Sequence, residues 1–183
     1  MTAQKTDVAI QQINLSYNGQ QDRMLMRVGL NDNTELLVWL TCRIAKSIWQ
    51  LLSCETNIPT ANSIEPDTPV EQAVAQFKQE MQVAETLQKM DFATQYQPRP
   101  AIVKDGAMLA INVLLITVDA KPPSLEMPCL EGITVRMNLT PELTLAICNM
   151  LQLSAKEAGW QLASNVIVQM PMVMNTEIKK VLH

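Results

Sequence analysis

The stretch LLVWLTCRIAKSIWQLL at residues 36–52 contains the pattern that decides the fold. Its first five residues are apolar and include Val and Trp, as is typical of a buried strand. Thr41 follows, and its hydroxyl can cap a helix by accepting a hydrogen bond from a free backbone N–H group. Apolar residues then recur at helical spacing: Ile44, Ala45, Ile48, Leu51 and Leu52. The stretch therefore predicts a short strand that leads directly into a helix at residues 42–54.

A second stretch, VRMNLTPELTLAICNML at residues 135–151, repeats this pattern 99 residues later. The matched pairs are Leu36 and Val135, Val38 and Met137, Leu40 and Leu139, Thr41 and Thr140, Ile44 and Leu143, Ile48 and Ile147, Leu51 and Met150, and Leu52 and Leu151. Each copy follows two candidate strands joined by an Asn-Gly or Asp-Gly turn, so we interpret the repeat as two β-β-β-α units. The alternative is an accidental match, because strand, threonine and helix are a common local combination.

Three strands are predicted ahead of the first helix. Residues 8–17 alternate apolar and polar side chains with one irregular step. In the next run, Met24, Met26 and Val28 alternate with Arg23, Leu25 and Arg27. The pair Asn18-Gly19 between the two runs is a turn whose residues tolerate positive φ. A second turn at residues 31–33 leads to the third strand, which begins the stretch described above. These strands and the helix form the first predicted unit, residues 1–54.

The second unit is predicted over residues 99–160 by similar signals. The expected strands are residues 101–104, 108–118 and 133–139. The pair Asp105-Gly106 is expected to join the first two strands in a hairpin. Residues 119–130 contain three prolines and are expected to form an ordered loop. Thr140 opens the third helix, and Gly159 is well placed to end it in a left-handed cap.

Between the two units, residues 55–98 are predicted to contain a linker and one long helix. Thr68 is a suitable N-cap, Pro69 fits the first turn, and Glu71 completes a capping box. One apolar stripe follows at helical spacing: Val70, Val74, Phe77, Met81, Ala84 and Leu87. The opposite side is rich in Gln and charge. We expect this amphipathic helix of residues 69–90 to pack against another surface along its length.

The tail, residues 161–183, is predicted to contain a strand. Its alternating residues are Val166, Val168, Met170, Met172 and Met174. Pro171 cannot donate to a sheet ladder, which places this strand at an edge. An edge strand can add to its own sheet or to that of a neighbour, so the five alternating residues are candidate oligomer contacts.

These elements predict an α+β fold. It consists of two pseudo-symmetric β-β-β-α units, each an antiparallel sheet with a packed helix. A long amphipathic helix joins the units, and the C-terminal edge strand follows them. We expect the parts to form one compact domain, because the chain has the length of a single domain.

Composition excludes several classes of protein. Of the 183 residues, 48% are hydrophobic and 17% are charged, so global disorder is not expected. The four cysteines show no CxxC pairing, and the lone histidine is His183. The residues that usually bind a metal or act as a histidine acid or base are therefore scarce, and we expect no metal, no cofactor and no histidine-based catalysis. No phosphate-loop or nucleophile-elbow motif occurs. We therefore expect a protein that is not an enzyme. An enzyme or small-ligand binder without a recognisable motif is the alternative.

The same sequence predicts a cytoplasmic protein without a membrane segment. No apolar run approaches the roughly 20 residues that span a bilayer. Residues 1–7 lack the apolar core of a signal peptide. The cysteines are expected to be small, mostly buried and reduced.

A protein-interaction or structural role is the function that these observations favour. Methionine adapts to irregular surfaces and suits contacts with partners, and the chain has 12 Met against only 7 aromatic residues. We expect a homodimer, or a module that binds a second protein whose identity the sequence does not specify.

Single-stranded nucleic-acid binding is a further alternative. The basic candidates are Arg23, Arg27, Arg43 and Lys46. Arg23 and Arg27 lie on one side of a predicted strand, where Tyr17 or Trp39 could provide a ring for base stacking. However, 18 acidic residues outnumber 14 basic ones, whereas nucleic-acid binders usually have a basic excess. The charge balance therefore disfavours this alternative.

Three stretches, IQQINLSY at 10–17, DRMLMRV at 22–28 and VWLTCR at 38–43, together resemble a family of mainly proteobacterial proteins of unknown function. Residues 91–94 and 143–160 look similar too, so the resemblance covers about residues 8–160 and implies no activity. The family pattern implies a basic residue where Cys42 stands, which weakens any basic role of that segment here. The repeat also loosely resembles the Whirly and Pur-type single-stranded-nucleic-acid-binding folds, a fold-level likeness that does not imply function.

Overall fold

The computed structural model describes residues 9–56, 70–104, 106–118 and 121–162. Within these ranges, the strands are β1 (Ile10–Asn18), β2 (Arg23–Leu30), β3 (Glu35–Leu40), β4 (Met108–Leu109), β5 (Leu114–Ile116), β6 (Ser124–Pro128) and β7 (Thr134–Asn138). The helices are α1 (Cys42–Thr56), α2 (Val70–Lys89) and α3 (Pro141–Ala158). The strands form one sheet of four and one of three, so the predicted α+β class is confirmed.

The first sheet has the order β1-β2-β3-β4. The first three strands are antiparallel neighbours, as predicted, and their register places alternate residues on one buried face. On β2 this face consists of Met24, Met26 and Val28, which are almost completely shielded from solvent. The period of two in the sequence therefore identified the core side of this sheet correctly.

The turn between β1 and β2 contains the predicted pair Asn18-Gly19, but it is longer than a two-residue turn and extends to Asp22. Asp22, rather than Gly19, has a positive φ, at 49°. The side-chain oxygen of Asn18 accepts hydrogen bonds from the N–H groups of Gln20 at 3.0 Å and Gln21 at 3.1 Å. Asn18 thus organises a longer turn through its side chain, and no left-handed conformation is needed at the glycine.

The predicted hairpin at Asp105-Gly106 is wrong. β4 instead pairs with β3 in parallel, and Ala101 makes an isolated parallel bridge to Glu35. The N–H of Glu35 donates to the carbonyl of Pro100 at 3.0 Å, and the N–H of Ile102 donates to the carbonyl of Glu35 at 2.9 Å. The free edge of β3 therefore takes both segments that the turn signal suggested would pair with each other. The chain through α1 and α2 supplies the crossover that a parallel pair needs.

The second sheet has the order β5-β6-β7, and both of its pairings are antiparallel. β6 lies within residues 119–130, which were predicted to be a loop. Pro122 and Pro123 precede this strand and Pro128 ends it, so no proline interrupts its interior. The single strand predicted at residues 108–118 is divided into β4 and β5.

Residues 109–111 connect the two sheets. The N–H of Ala110 donates to the carbonyl of Trp39 in β3 at 3.0 Å. The N–H of Ile111 donates to the carbonyl of Pro128 at the end of β6 at 2.9 Å. Because this segment bonds to a strand on each side, the two sheets share one hydrophobic core.

Two of the three described helices complete that core. The fully buried residues of α1 are Ile44, Ala45, Ile48 and Leu52. The corresponding residues of α3 are Ile147, Cys148, Leu151 and Ala155. α3 packs against α1 and also against β1, where the hydroxyl of Ser154 donates to the carbonyl of Leu15 at 3.2 Å. The helix that follows the second sheet therefore also covers the edge strand of the first.

Two of the predicted N-caps, Thr41 and Thr140, are present at equivalent positions of the repeat, whereas the predicted cap Thr68 lies outside the described residues. The Thr140 hydroxyl accepts a hydrogen bond from the N–H of Leu143 at 3.1 Å, and the Thr41 hydroxyl accepts one from the N–H of Ile44 at 3.4 Å. Gly159 ends α3 with a φ of 70°, as a left-handed cap requires. These local predictions succeeded because a cap needs only neighbours along the chain.

Candidate interaction surface

α2 presents a row of apolar side chains to solvent. Val74 is 48% exposed, Phe77 63% and Met81 57%. Ala84 is also exposed and continues the row at the same spacing. We call these four residues the α2 stripe. The helix was predicted to pack against another surface along its length, and no other part of the described chain covers these side chains.

The side of α2 opposite the α2 stripe faces the rest of the molecule. Gln79, Val83 and Thr86 line a cleft of about 410 Å³ whose far wall includes the start of α3. Successive helical residues are about 100° apart, so these three residues lie roughly opposite Phe77. A mixed polar face is therefore turned towards the protein, and the apolar face is turned away from it.

Charged side chains border the α2 stripe. Lys78 and Glu85 are seven residues apart, so they lie on the same side of it, and Glu80 lies on the other side. The ammonium group of Lys89 donates to the carboxylate of Glu85 at 2.9 Å, and this ion pair is exposed to solvent. An apolar centre with charged borders is the usual composition of a helix–helix seam.

The α2 stripe differs from the scattered apolar residues found on any protein surface. Leu153 on α3 is 62% exposed, but Lys156 and Glu157, three and four residues further along the helix, are exposed and charged. A single exposed leucine is ordinary and needs no explanation. Val74, Phe77 and Met81, by contrast, occupy one side of two helical turns and form a contiguous apolar surface.

The candidate nucleic-acid residues are divided between two faces of the first sheet. Arg23, Arg27 and Trp39 share the face opposite the core, because their register partners alternate with the buried residues. Tyr17 pairs with Met24 and therefore lies on the core side. Its ring meets that of Trp160 edge-on, with the centroids 5.6 Å apart.

The segment that includes Tyr96 lies against one end of the face shared by Arg23 and Arg27. The guanidinium of Arg27 is 6.0 Å from the ring centroid of Tyr96. The Tyr96 hydroxyl donates to the buried carboxylate of Glu35 at 2.7 Å. Burial, reinforced by Glu35, raises the pKa of Tyr96 above its usual value, so the hydroxyl keeps the proton that it donates.

Gly29 on β2 permits this close approach. A Cβ atom there would lie 3.3 Å from the Tyr96 hydroxyl and 3.4 Å from the Arg99 guanidinium carbon. Arg99 donates to the carbonyl of Leu30 and, at 2.7 Å, to the side-chain oxygen of Gln11. Sequence reasoning missed this contact, although a glycine inside a strand is itself a signal that another backbone or side chain comes close.

The remaining basic candidates lie on α1 rather than on the sheet. The guanidinium of Arg43 donates to the carbonyl of Ile111 at 2.8 Å. Lys46 is half-buried one turn further along the helix. The structure therefore does not bring these two cations together with Arg23 and Arg27.

The candidate oligomer contacts were predicted on the tail, residues 161–183. Val166, Val168, Met170, Met172 and Met174 lie outside the described residues. The predicted edge strand therefore stays a prediction, and the α2 stripe is the apolar helical surface whose geometry can be stated.

Cysteine chemistry does not identify an active site among the described residues. Cys42, Cys129 and Cys148 are free thiols. Burial raises the pKa of Cys148 to about 12, and burial followed by the nearby Glu131 carboxylate raises that of Cys129. Both thiols therefore carry little thiolate, which is the nucleophilic form. Within the described ranges, no three His, Cys, Asp or Glu side chains are placed to hold a metal ion.

Two other clefts lie on the surface of the described residues. One of about 690 Å³ lies between the start of β1 and the end of β7, and one of about 310 Å³ lies beside β6. The smaller cleft contains Ser124 and the ion pair between Glu126 and Arg136, whose atoms are 2.6 Å apart. The Ser124 hydroxyl has no hydrogen-bond partner among the described residues, so no base activates it as a nucleophile there.

Comparison of the chain with protein-family models, curated proteins and solved structures found no match. Among the described residues, no helix combines the length and apolar character needed to cross a membrane. The surfaces of the molecule are therefore the basis for inferring its function.

Proposed function

We propose that this protein is a non-enzymatic interaction module that associates with itself through the α2 stripe. The observation that carries the proposal is the outward direction of Val74, Phe77 and Met81 on a helix held by its polar side. Complete burial of a side chain of this kind contributes roughly 1.5–3 kcal/mol. Covering the exposed parts of three such side chains therefore offers a few kcal/mol towards association.

The position of α2 outside the core supports the same proposal. None of its described residues belongs to the cluster of buried side chains that joins both sheets, α1 and α3. A helix of 20 residues that contributes nothing to the core gives little to folding. Its amphipathic sequence is explained if the apolar side serves an interface between molecules.

The decisive experiment compares two substitutions of equally exposed residues. Phe77→Glu places a charge in the α2 stripe, and Leu153→Glu places the same charge on α3 at a site of equal exposure. The molar mass of each variant is measured by light scattering and sedimentation over a range of concentrations. We expect the wild type and Leu153→Glu to form dimers and Phe77→Glu to be monomeric with an unchanged circular dichroism spectrum. A monomeric wild type, or an equal effect of both substitutions, would contradict the proposal.

Single-stranded nucleic-acid binding is a second candidate function. The observation in its favour is that Arg23, Arg27 and Trp39 share one face of the first sheet. A labelled single-stranded oligonucleotide titrated at low salt tests it. Binding that Arg23→Gln weakens and Arg136→Gln does not would support it, and the absence of binding at tens of micromolar protein would remove it.

We also propose that the repeat reflects a duplicated β-β-β-α unit. Two observations support this origin: Thr41 and Thr140 cap the two core helices in the same way, and Ile48 and Ile147 are both fully buried. We further propose a cytoplasmic location. The free thiols of the described cysteines support it, because such thiols persist in a reducing compartment.

A further inference from the structure

We infer that the partner of the α2 stripe is the α2 helix of a second copy in antiparallel orientation, with Lys78 of each copy facing Glu85 of the other. This inference rests on the proposed self-association and adds its geometry. It is supported by the spacing of the stripe, by the charges on its borders and by the sizes of its side chains.

The spacing of the stripe fits a paired helix. Val74, Phe77, Met81 and Ala84 are separated by steps of three, four and three residues. This alternation is the spacing of the a and d positions in a two-helix seam, where side chains of one helix insert between those of the other. The spacing of the exposed side chains therefore suits a partner helix along the roughly three turns from Val74 to Ala84.

The border charges select the orientation. A twofold axis that relates antiparallel helices brings the same border of each helix together, so Lys78 of one copy meets Glu85 of the other, and this contact occurs twice. Parallel helices instead bring opposite borders together, five residues apart along the chain. That arrangement places Glu80 of one copy near Glu85 of the other, which is a repulsive contact. Complementary border charges therefore favour the antiparallel pair.

The sizes of the side chains agree with the same register. If Lys78 faces Glu85, the twofold axis passes between residues 81 and 82, and the two Met81 side chains are separated by only about 1.5 Å along the helices. Phe77 of one copy then lies beside Ala84 of the other, whose small side chain leaves room for the ring. The two largest side chains of the stripe thus fill the centre of the seam.

A crosslinking experiment tests the orientation. Met81→Cys and Val74→Cys are compared, with the unsubstituted chain as the control for its native cysteines, using a short thiol-specific crosslinker. We expect a covalent dimer from Met81→Cys and none from Val74→Cys, because the two copies of residue 74 would be about 22 Å apart along the helices.

Each other outcome of this experiment has a separate meaning. Crosslinking of both variants indicates parallel helices and overturns the inference. Crosslinking of Val74→Cys alone indicates a different antiparallel register and overturns the Lys78–Glu85 contact. If neither variant crosslinks while Phe77→Glu still dissociates the dimer, the orientation is wrong and the proposed function stands. A chain that is monomeric at all concentrations overturns both.

A charge exchange tests the contact itself. Lys78→Glu is expected to weaken self-association by about tenfold at low salt, because two attractive pairs become repulsive. Adding Glu85→Lys in the same chain should restore the dimer to within about twofold of the wild type. Lys156→Glu, an equal change of charge on α3, is the control and should have little effect. Failure of the double variant to recover would overturn the Lys78–Glu85 contact.

Discussion

α1 and α2 are both amphipathic helices by sequence, yet their apolar sides have opposite surroundings. Ile44, Ile48 and Leu52 of α1 are completely buried among the sheets and α3. Phe77 and Met81 of α2 are more than half exposed. The comparison teaches that helical periodicity identifies a side that is suited to burial but does not specify what covers it.

The difference arises from what each helix can reach. α1 follows β3 directly, so its first turn is fixed at the edge of the sheet and its apolar side is directed at the core. Among the described helices, α2 contacts α3. A cleft lies between part of α2 and the start of α3. The sheets, α1 and α3 supply the side chains of the core, and none of the described residues of α2 belongs to it.

The largest expected effect is on the α1 side of the comparison. Ile48→Ala should lower the free energy of unfolding by about 2–5 kcal/mol, because it leaves a cavity at a fully buried site. Urea unfolding followed by circular dichroism measures it. Gln50→Ala, at an exposed site on the same helix, is the control and should change stability by less than about 0.5 kcal/mol. Similar losses in the two variants would show that α1 is not a core helix.

Loss of the N-cap of α3, the helix that contacts both α1 and α2, should lower the free energy of unfolding by less than Ile48→Ala does. Thr140→Ala removes the hydroxyl that accepts from the N–H of Leu143, and about 1 kcal/mol of stability should be lost. Thr140→Ser keeps the hydroxyl and should retain most of it. If urea unfolding gives the same midpoint for the alanine variant as for the wild type, this cap does not stabilise α3.

The two sides of α2 can be compared with a single type of substitution. Val83→Ala, on the side facing α3, should cost roughly 0.5–1 kcal/mol of unfolding free energy, because part of the lost methyl surface is buried. Val74→Ala, in the α2 stripe, should cost less when measured at concentrations where the protein is monomeric. The reverse order of the two effects would mean that the stripe is covered within a single chain.

The smallest expected change in stability is at the most exposed residue of the stripe. Phe77→Ala should alter the free energy of unfolding of the monomer by less than about 0.5 kcal/mol, as for an ordinary surface site. Leu153→Ala is the matched control on α3. A clear loss of monomer stability for Phe77→Ala alone would indicate that its ring packs against the same chain.

The parts of the fold that depend on neighbours in the sequence were predictable. The first three strands, the helix that follows Thr41 and both ends of α3 agree with the sequence signals, because alternation and capping involve residues a few positions apart. Leu125 and Met127 alternate with other residues as in a strand, but the nearby prolines led to the prediction of a loop at β6. Proline excludes only a strand interior, and here each proline lies at a boundary or outside the strand.

The parts that depend on distant segments were not predictable in the same way. Asp105-Gly106 is a strong local turn signal, yet the segments beside it bond to β3 instead of to each other. The hydrogen bond between Tyr96 and Glu35 joins residues 61 positions apart. Its one signal in the sequence is Gly29, a glycine inside a strand, which lies close to Tyr96. Of the nucleic-acid candidates, the sequence placed Arg23 and Arg27 on one side correctly, but it did not separate them from Tyr17.

The sequence by itself determined which residues of α2 are apolar, that they form one stripe, and that the stripe suits a partner helix. Only the tertiary structure decided that this stripe faces outward. Periodicity records how side chains are arranged around one helix axis, a property of the local chain. The direction in which that helix is turned results from competition among all apolar surfaces for one core, and in this protein α1 and α3 occupy it.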